Sequence, residues 1–183
     1  VHQRSEFLQL DCKTHLINGL TSSAKANSEL FDTAKGFVFL GSSGWGEGDQ
    51  ALLVQSLLQR KRPVLVGNPD VSAPHPHQFS AEPGYWMARA MKAVPGLRPH
   101  WLGKPHLPAF QLAVDKVNQL AAASVPNHRI AMVGDSLHTD ILGGAAAGLG
   151  TILITNYGLL RTHDAEQLCV EMQIFPDWQV RLI

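Results

Sequence analysis

Short apolar runs alternate with segments of helical periodicity along most of the chain. Apolar runs of strand length occur at 36–40, 63–67, 129–133 and 151–155. Apolar side chains recur with helical spacing at 49–59, 82–93, 109–122 and 140–147. Strands that alternate with helices are typical of parallel sheets joined by right-handed crossovers. The pattern therefore predicts an α/β fold with Rossmann-like parallel sheets, in which the strand at 36–40, apolar throughout, is buried.

The remaining segments give shorter elements. Small and polar residues predict loops at 21–27, 41–48 and 71–79. We expect short strands at 7–10 and 100–102, helices at 15–20 and 164–171, and a tail at 175–183.

Composition narrows the class of protein. The chain has 183 residues, with 15 basic and 15 acidic side chains and a formal net charge of zero. This balance gives no reason to expect a nucleic-acid partner or an anionic membrane surface. No apolar run is long enough to span a bilayer. Cys12 and Cys169 are far apart and outside any paired motif, so we expect a reduced, cytoplasmic protein.

The most informative segment begins where the predicted strand 129–133 runs into Gly134 and Asp135, with Asp140 close behind. Ligands bind at the carboxyl ends of parallel strands, and paired carboxylates there suit a hard cation such as Mg²⁺. A structural interpretation is also compatible: Thr139 would cap the next helix, and Asp140 would favour its dipole.

Lys104 follows the predicted strand 100–102, between Gly103 and Pro105. A lone lysine at such a position is usually a solvated surface residue. Its interest here comes from Asp135, which ends the next predicted strand, because both side chains should then meet at one edge of the sheet. A lysine, a carboxylate pair and a bound cation are the parts of a phosphoryl-transfer site.

Together these motifs resemble the haloacid dehalogenase-like (HAD-like) hydrolases. The resemblance rests on Gly-Lys-Pro at 103–105, Val-Gly-Asp-Ser-x-x-Thr-Asp-Ile at 133–141, Asn-Pro-Asp at 68–70 and Glu-Pro-Gly at 82–84. It is closest to the NagD-like or p-nitrophenylphosphatase-like branch, which carries a large α/β cap. The resemblance implies a cap domain at 1–97 and the carboxyl-terminal half of the hydrolase core at 98–183.

The family also implies a mechanism. An aspartate on the first core strand attacks phosphorus and forms an aspartyl-phosphate, and a second aspartate two residues on protonates the leaving group. By this resemblance Lys104 steadies the developing charge, Asp135 ligates Mg²⁺, and Asp140 supports the metal site. Asn68 and Asp70 of the cap would lie near the substrate, a small phosphorylated metabolite.

One motif of the family is missing, because no Asp-x-Asp occurs in the chain. Asp11 is the nearest candidate nucleophile, but Lys13 and Thr14 stand where the acid and glycine belong. Since 36–70 already matches the cap, Asp11 would be part of the cap too. We therefore expect a fragment that is inactive alone, with its nucleophile upstream of Val1.

Two other classes of function are alternatives to a phosphatase. The first is a non-catalytic α/β binding or assembly module that kept the fold and lost the nucleophile. An Asp-x-Asp-Gly upstream in the full-length gene would favour the phosphatase over this module. The second, a nucleotide-binding Rossmann domain, is disfavoured because the chain lacks the glycine fingerprint.

The resemblance has a physical consequence for the predicted strand 129–133. In the family's core the first strand lies beside it, so a chain without that strand leaves an apolar edge with unpaired backbone groups. We expect a homodimer that covers this edge.

Overall fold

The computed structural model describes residues 24–74, 79–156 and 160–181. The elements predicted at 7–10 and 15–20, together with Asp11 and Cys12, lie outside these ranges. Six α-helices are described: α1 Ala24–Thr33, α2 Glu47–Gln59, α3 Pro83–Ala93, α4 Leu107–Ala121, α5 Leu142–Ala146 and α6 Ala165–Met172. Eight strands are described: β1 Phe37–Phe39, β2 Val64–Val66, β3 Ser72–Pro74, β4 Phe79–Ala81, β5 His100–Trp101, β6 Ala131–Gly134, β7 Gly150–Ile154 and β8 Trp178–Val180.

The first sheet is parallel, in the order β1-β2-β5. Its inward side chains meet α1, α2 and α3 in a core that includes Phe31, Leu57 and Met87, each at most 1% exposed. Val38, on the opposite face of β1, is 48% exposed. The expectation that 36–40 is buried throughout is therefore wrong, because the described helices cover only one face of this sheet.

The second sheet is also parallel, in the order β6-β7-β8. Leu153 of β7 packs with Leu137 and Ile141, which follow β6, in a second core, and each of the three is at most 3% exposed. Within the described residues β6 pairs with β7 alone, so β6 is an edge strand there. The two parallel sheets confirm the predicted α/β fold class.

Strand β8 lies inside the segment that was predicted to be a tail. Thr151 of β7 donates from its N–H and its hydroxyl to Asp177 Oδ2, at 2.8 and 3.0 Å. The Asp177 N–H donates in turn to Thr151 Oγ1 at 3.0 Å. This reciprocal contact fixes the start of β8 against β7, and it joins residues 26 positions apart, which local sequence patterns do not detect.

Two predicted loops are in part regular structure. Residues 72–74 and 79–81 form an antiparallel ladder, with Ser72 opposite Ala81. Helix α1 begins at Ala24, inside the predicted loop 21–27. Small and polar residues raised the local loop signal in both segments, whereas pairing between β3 and β4 and the packing of Phe31 stabilise regular structure there.

The predicted helix at 140–147 is divided. A single wide turn of π type spans Leu137–Ile141 and leads into α5. Ser136, not Thr139, precedes the first turn, so the predicted capping role of Thr139 is wrong. The N–H groups of Asp140 and Ile141 both donate to the Ser136 carbonyl, at 3.0 and 3.2 Å.

The division at residue 97 stays a prediction. Strand β5, just beyond it, pairs with β2 of the first sheet and leads through Gly103 to Lys104. Among the helices of the described part of the chain, we find none that combines the length and the apolar character needed to cross a membrane.

Candidate functional site

Lys104 and Asp140 form an ion pair, with 2.5 Å between Lys104 Nζ and Asp140 Oδ1. Lys104 lies in the turn between β5 and α4, after a strand of the first sheet. Asp140 lies in the wide turn after β6 of the second sheet. The Asp140 side chain is 3% exposed and that of Lys104 is 46% exposed, so the ammonium group reaches solvent while the carboxylate does not.

The sequence around Asp140 explains how its carboxylate comes to be buried. The wide turn folds back over the end of β6, and Asp140 Oδ2 accepts a hydrogen bond from the Ser136 N–H at 3.2 Å. Gly134 is required here, because a Cβ at that position would overlap the Asp140 carboxylate. A π-type turn is rare in proteins and is frequent at functional sites.

Asp135 lies directly after β6, and its side chain is partly exposed. Within the described residues its carboxylate takes part in no hydrogen bond or ion pair. It therefore differs from Asp140, both of whose carboxylate oxygens are engaged.

The segment 68–70 packs closely against Gly84 and Gly103, because neither glycine carries a Cβ. A Cβ at Gly84 would overlap the Pro69 carbonyl oxygen, and a Cβ at Gly103 would come within 2.5 Å of Pro69 Cδ. The Gly84 N–H donates to the Asp70 carbonyl at 2.9 Å. The segment is thus held against the residue that precedes Lys104.

Asp70 belongs to the same charged group as Lys104 and Asp140. Burial raises the pKa of the Asp70 carboxyl above its ordinary value, and the charge of Lys104 opposes this rise. The negative charges of Asp140 and Glu82 add to it. The structure therefore brings Asp70, Lys104 and Asp140 close enough for their charges to interact.

Sequence reasoning missed Glu82 as a member of this group. Its carboxylate accepts hydrogen bonds from Ser80 Oγ at 2.6 Å and from Asn68 Nδ2 at 3.3 Å. The available signal was the Glu-Pro-Gly motif at 82–84, which contributes to the family resemblance and marks the start of a helix but assigns no role to the carboxylate.

The described residues do not complete a magnesium site by themselves. No group of three or more His, Cys, Asp or Glu side chains is arranged to hold a metal ion within them. Magnesium prefers six oxygen ligands in octahedral geometry and is usually held by one or two protein carboxylates. Asp135 fits as such a ligand, whereas Asp140 is already paired with an ammonium group, which suits a supporting role.

Comparison with known proteins agrees with the motifs. A family model described as HAD-hydrolase-like matches residues 101–178, a range that contains Lys104, Asp135 and Asp140. The dihydroxyacetone phosphatase of Corynebacterium glutamicum is 28% identical over 138 residues, which are 75% of this chain and 48% of that protein. The ribonucleotide monophosphatase NagD of Escherichia coli is 27% identical over 154 residues, which are 84% of this chain and 56% of that protein.

A solved structure extends the likeness to three dimensions. A possible sugar phosphatase of the HAD superfamily from Cytophaga hutchinsonii aligns with a TM-score of 0.70 at 28% identity, covering 89% of this chain and 55% of that one. The chain spans about half the length of the curated relatives it matches. The motifs, the parallel sheets and these matches together support the resemblance of the chain to the haloacid dehalogenase-like hydrolases, in the branch of NagD.

Proposed function

We propose that this chain supplies part of the active site of a phosphatase that hydrolyses small phosphorylated metabolites. The observation that carries the proposal is the Lys104–Asp140 pair, in which a lysine side chain that is 46% exposed meets a buried carboxylate in the turn that follows Asp135 and the carboxyl end of β6. The phosphatase relatives support the reaction class.

Each residue has a distinct part in this proposal. The Lys104 ammonium group binds a phosphoryl oxygen and stabilises the negative charge that develops in the transition state. Asp140 is a positioning residue, because its buried carboxylate holds Lys104 at the edge of the sheet. Asn68 and Asp70 meet the substrate's leaving group, for which the Asp70 carboxylate is a hydrogen-bond acceptor.

The nucleophile is proposed to lie outside this chain. The family's Asp-x-Asp is absent from it, and Asp11 lies outside the described residues. Under this proposal the chain alone is inactive, and Asp11 has no catalytic role.

We further propose that the hydrolysis depends on Mg²⁺. Asp135 would hold the ion together with oxygen donors beyond those that the described residues bring to this edge. Bound there, Mg²⁺ supplies Lewis-acid stabilisation of the phosphoryl oxygens.

The proposal is tested by a screen of phosphorylated small molecules with Mg²⁺, on this chain and on the full-length gene product. We expect hydrolysis by the full-length protein, a loss of at least about a hundredfold in its kcat on Lys104→Met, and no hydrolysis by this chain. Activity in this chain that Asp11→Asn abolishes would overturn the assignment of the nucleophile.

The alternative is a non-catalytic binding or assembly module derived from the same fold. It is favoured if the full-length gene lacks an Asp-x-Asp-Gly and its product hydrolyses none of the compounds. The cytoplasmic location stays a prediction.

A further inference from the structure

Glu82 lies at the start of α3 and is tied to the segment 68–70 through side chain and backbone. Its carboxylate accepts hydrogen bonds from Asn68 Nδ2 and Ser80 Oγ. Its backbone N–H donates to the Val71 carbonyl at 3.0 Å. The carboxylate is thus fixed from both sides of the β3–β4 hairpin.

The Asn68 amide links Glu82 to Asp70. Its NH₂ group donates to Glu82, and its carbonyl oxygen accepts from the Asp70 N–H at 3.1 Å. If the amide rotated by 180°, its oxygen would face the Glu82 carboxylate and its NH₂ would face the Asp70 N–H. Both contacts would be repulsive, so the charge of Glu82 selects the amide orientation that binds Asp70.

A carboxylate at position 82 is an electrostatically unfavourable hydrogen-bond acceptor, because Asp70 carries a like charge nearby. Its negative charge lies close enough to Asp70 to disfavour ionisation of that side chain. A neutral glutamine could accept from Asn68 or Ser80 without this repulsion. An acceptor that served the fold alone would not need the charge.

We propose that Glu82 is a positioning residue for the substrate site: through Asn68 it holds the Asp70 turn in register with Lys104. Gly84 and Gly103 complete the arrangement, since they let the turn pack between the start of α3 and the residue before Lys104. This inference rests on the proposed contact of Asp70 with the leaving group.

The test uses NMR of this chain labelled with ¹³C and ¹⁵N, so it needs no enzymatic activity. Two signals of Asp70 are followed: exchange of its backbone amide hydrogen, and the pH titration of its carboxyl carbon. The variants are Asn68→Ala, which breaks the link and leaves every charge in place, and Glu82→Gln. Glu29→Gln is the control, because it removes one negative charge from an exposed position on α1.

We expect Asn68→Ala to speed Asp70 amide exchange about fivefold, which is the effect of losing one hydrogen bond of ordinary strength. It should also move the carboxyl titration, since Asp70 would no longer be held among its charged neighbours Lys104, Asp140 and Glu82. Glu82→Gln should lower the titration midpoint, and Glu29→Gln should change neither signal.

The inference is overturned if the Asp70 signals of the two variants match those of the control. The variants are Asn68→Ala and Glu82→Gln, and the control is Glu29→Gln. If Glu82→Gln does not fold, Asn68→Ala decides alone, because it changes position without changing charge. A chain that proves not to belong to a phosphatase would leave these NMR results unaffected, so the two proposals fail separately.

Discussion

Asp140 and Lys104 are unequal partners in their ion pair, because the Lys104 side chain is 46% exposed and the Asp140 side chain only 3%. We predict that Lys104→Met lowers the free energy of unfolding of the chain by about 1–3 kcal/mol. The buried carboxylate would keep the Ser136 N–H and lose its cation. The loss is less than for a fully buried pair, since solvent already screens the exposed lysine.

Urea denaturation measures this loss. Lys116→Met is the matched control, because Lys116 is exposed on α4 and, among the described residues, donates to nearby Gln119 alone. The control should change the free energy of unfolding by at most about 0.5 kcal/mol. If the two variants lower the free energy of unfolding equally, Lys104 does not stabilise the buried Asp140 carboxylate.

Asp70 gives a dependence of stability on pH. Its folded-state pKa is raised from 3.8, so the folded chain holds this proton more tightly than the unfolded chain does. Stability from Asp70 is therefore present at low pH and is lost as pH rises through the folded-state pKa. We predict that Asp70→Asn raises the free energy of unfolding at pH 7 by less than about 1 kcal/mol, because the site is partly solvated.

Denaturation at pH 7 and at pH 4 checks the sign. The gain should shrink toward pH 4, because the folded-state carboxyl, whose pKa is raised, takes up its proton before the unfolded-state carboxyl does. A stabilisation of equal size at both pH values would have to come from something other than ionisation of Asp70.

At the scale of elements, the surroundings of β6 bear on whether the chain self-associates. Within the described residues it has a partner on one side only, and Val133 is 40% exposed. An exposed apolar edge can pair with the same edge of another chain. The homodimer stays a prediction, and its geometry would be pairing of two β6 strands.

We predict that the chain self-associates at a concentration of about 100 μM and that Val133→Lys shifts it toward the monomer, because a charge on an edge strand opposes pairing. Analytical ultracentrifugation measures the mass. Val170→Lys, on an exposed position of α6, should leave association unchanged. A wild-type chain that stays monomeric at this concentration would end the proposal.

At the scale of the whole molecule, separate hydrophobic cores pack around the two parallel sheets of the described residues. Leu57 is fully buried in the first core, and its neighbour Leu58 is 55% exposed on the same helix. We predict that Leu57→Ala lowers the free energy of unfolding by about 2–5 kcal/mol, whereas Leu58→Ala has little effect.

Hydrogen exchange shows whether the cores are separate units. If the predicted division near residue 97 is right, Leu57→Ala should reduce amide protection in α2 and β2 and leave β6 and β7 largely protected. An equal loss of protection in both sheets would indicate one cooperative unit.

The sequence by itself determined the α/β class, because apolar runs of strand length and helical periodicity are local properties of the chain. It also marked Lys104, Asp135 and Asp140, since polar residues that directly follow apolar strands lie at the binding edge of a parallel sheet. It could not assign Glu82, whose hydrogen-bond partner Asn68 lies 14 residues away across a hairpin.

Only the tertiary structure decided that Asp140 faces Lys104 and leaves Asp135 without a partner in the described part of the chain. The two carboxylates look alike in sequence, and the wide turn after Gly134 buries one of them. The same holds for β8, whose position depends on Asp177 meeting Thr151. Local pattern marks the longer strands and helices, whereas burial, charge and the shorter strands depend on distant residues that meet only when the chain is folded.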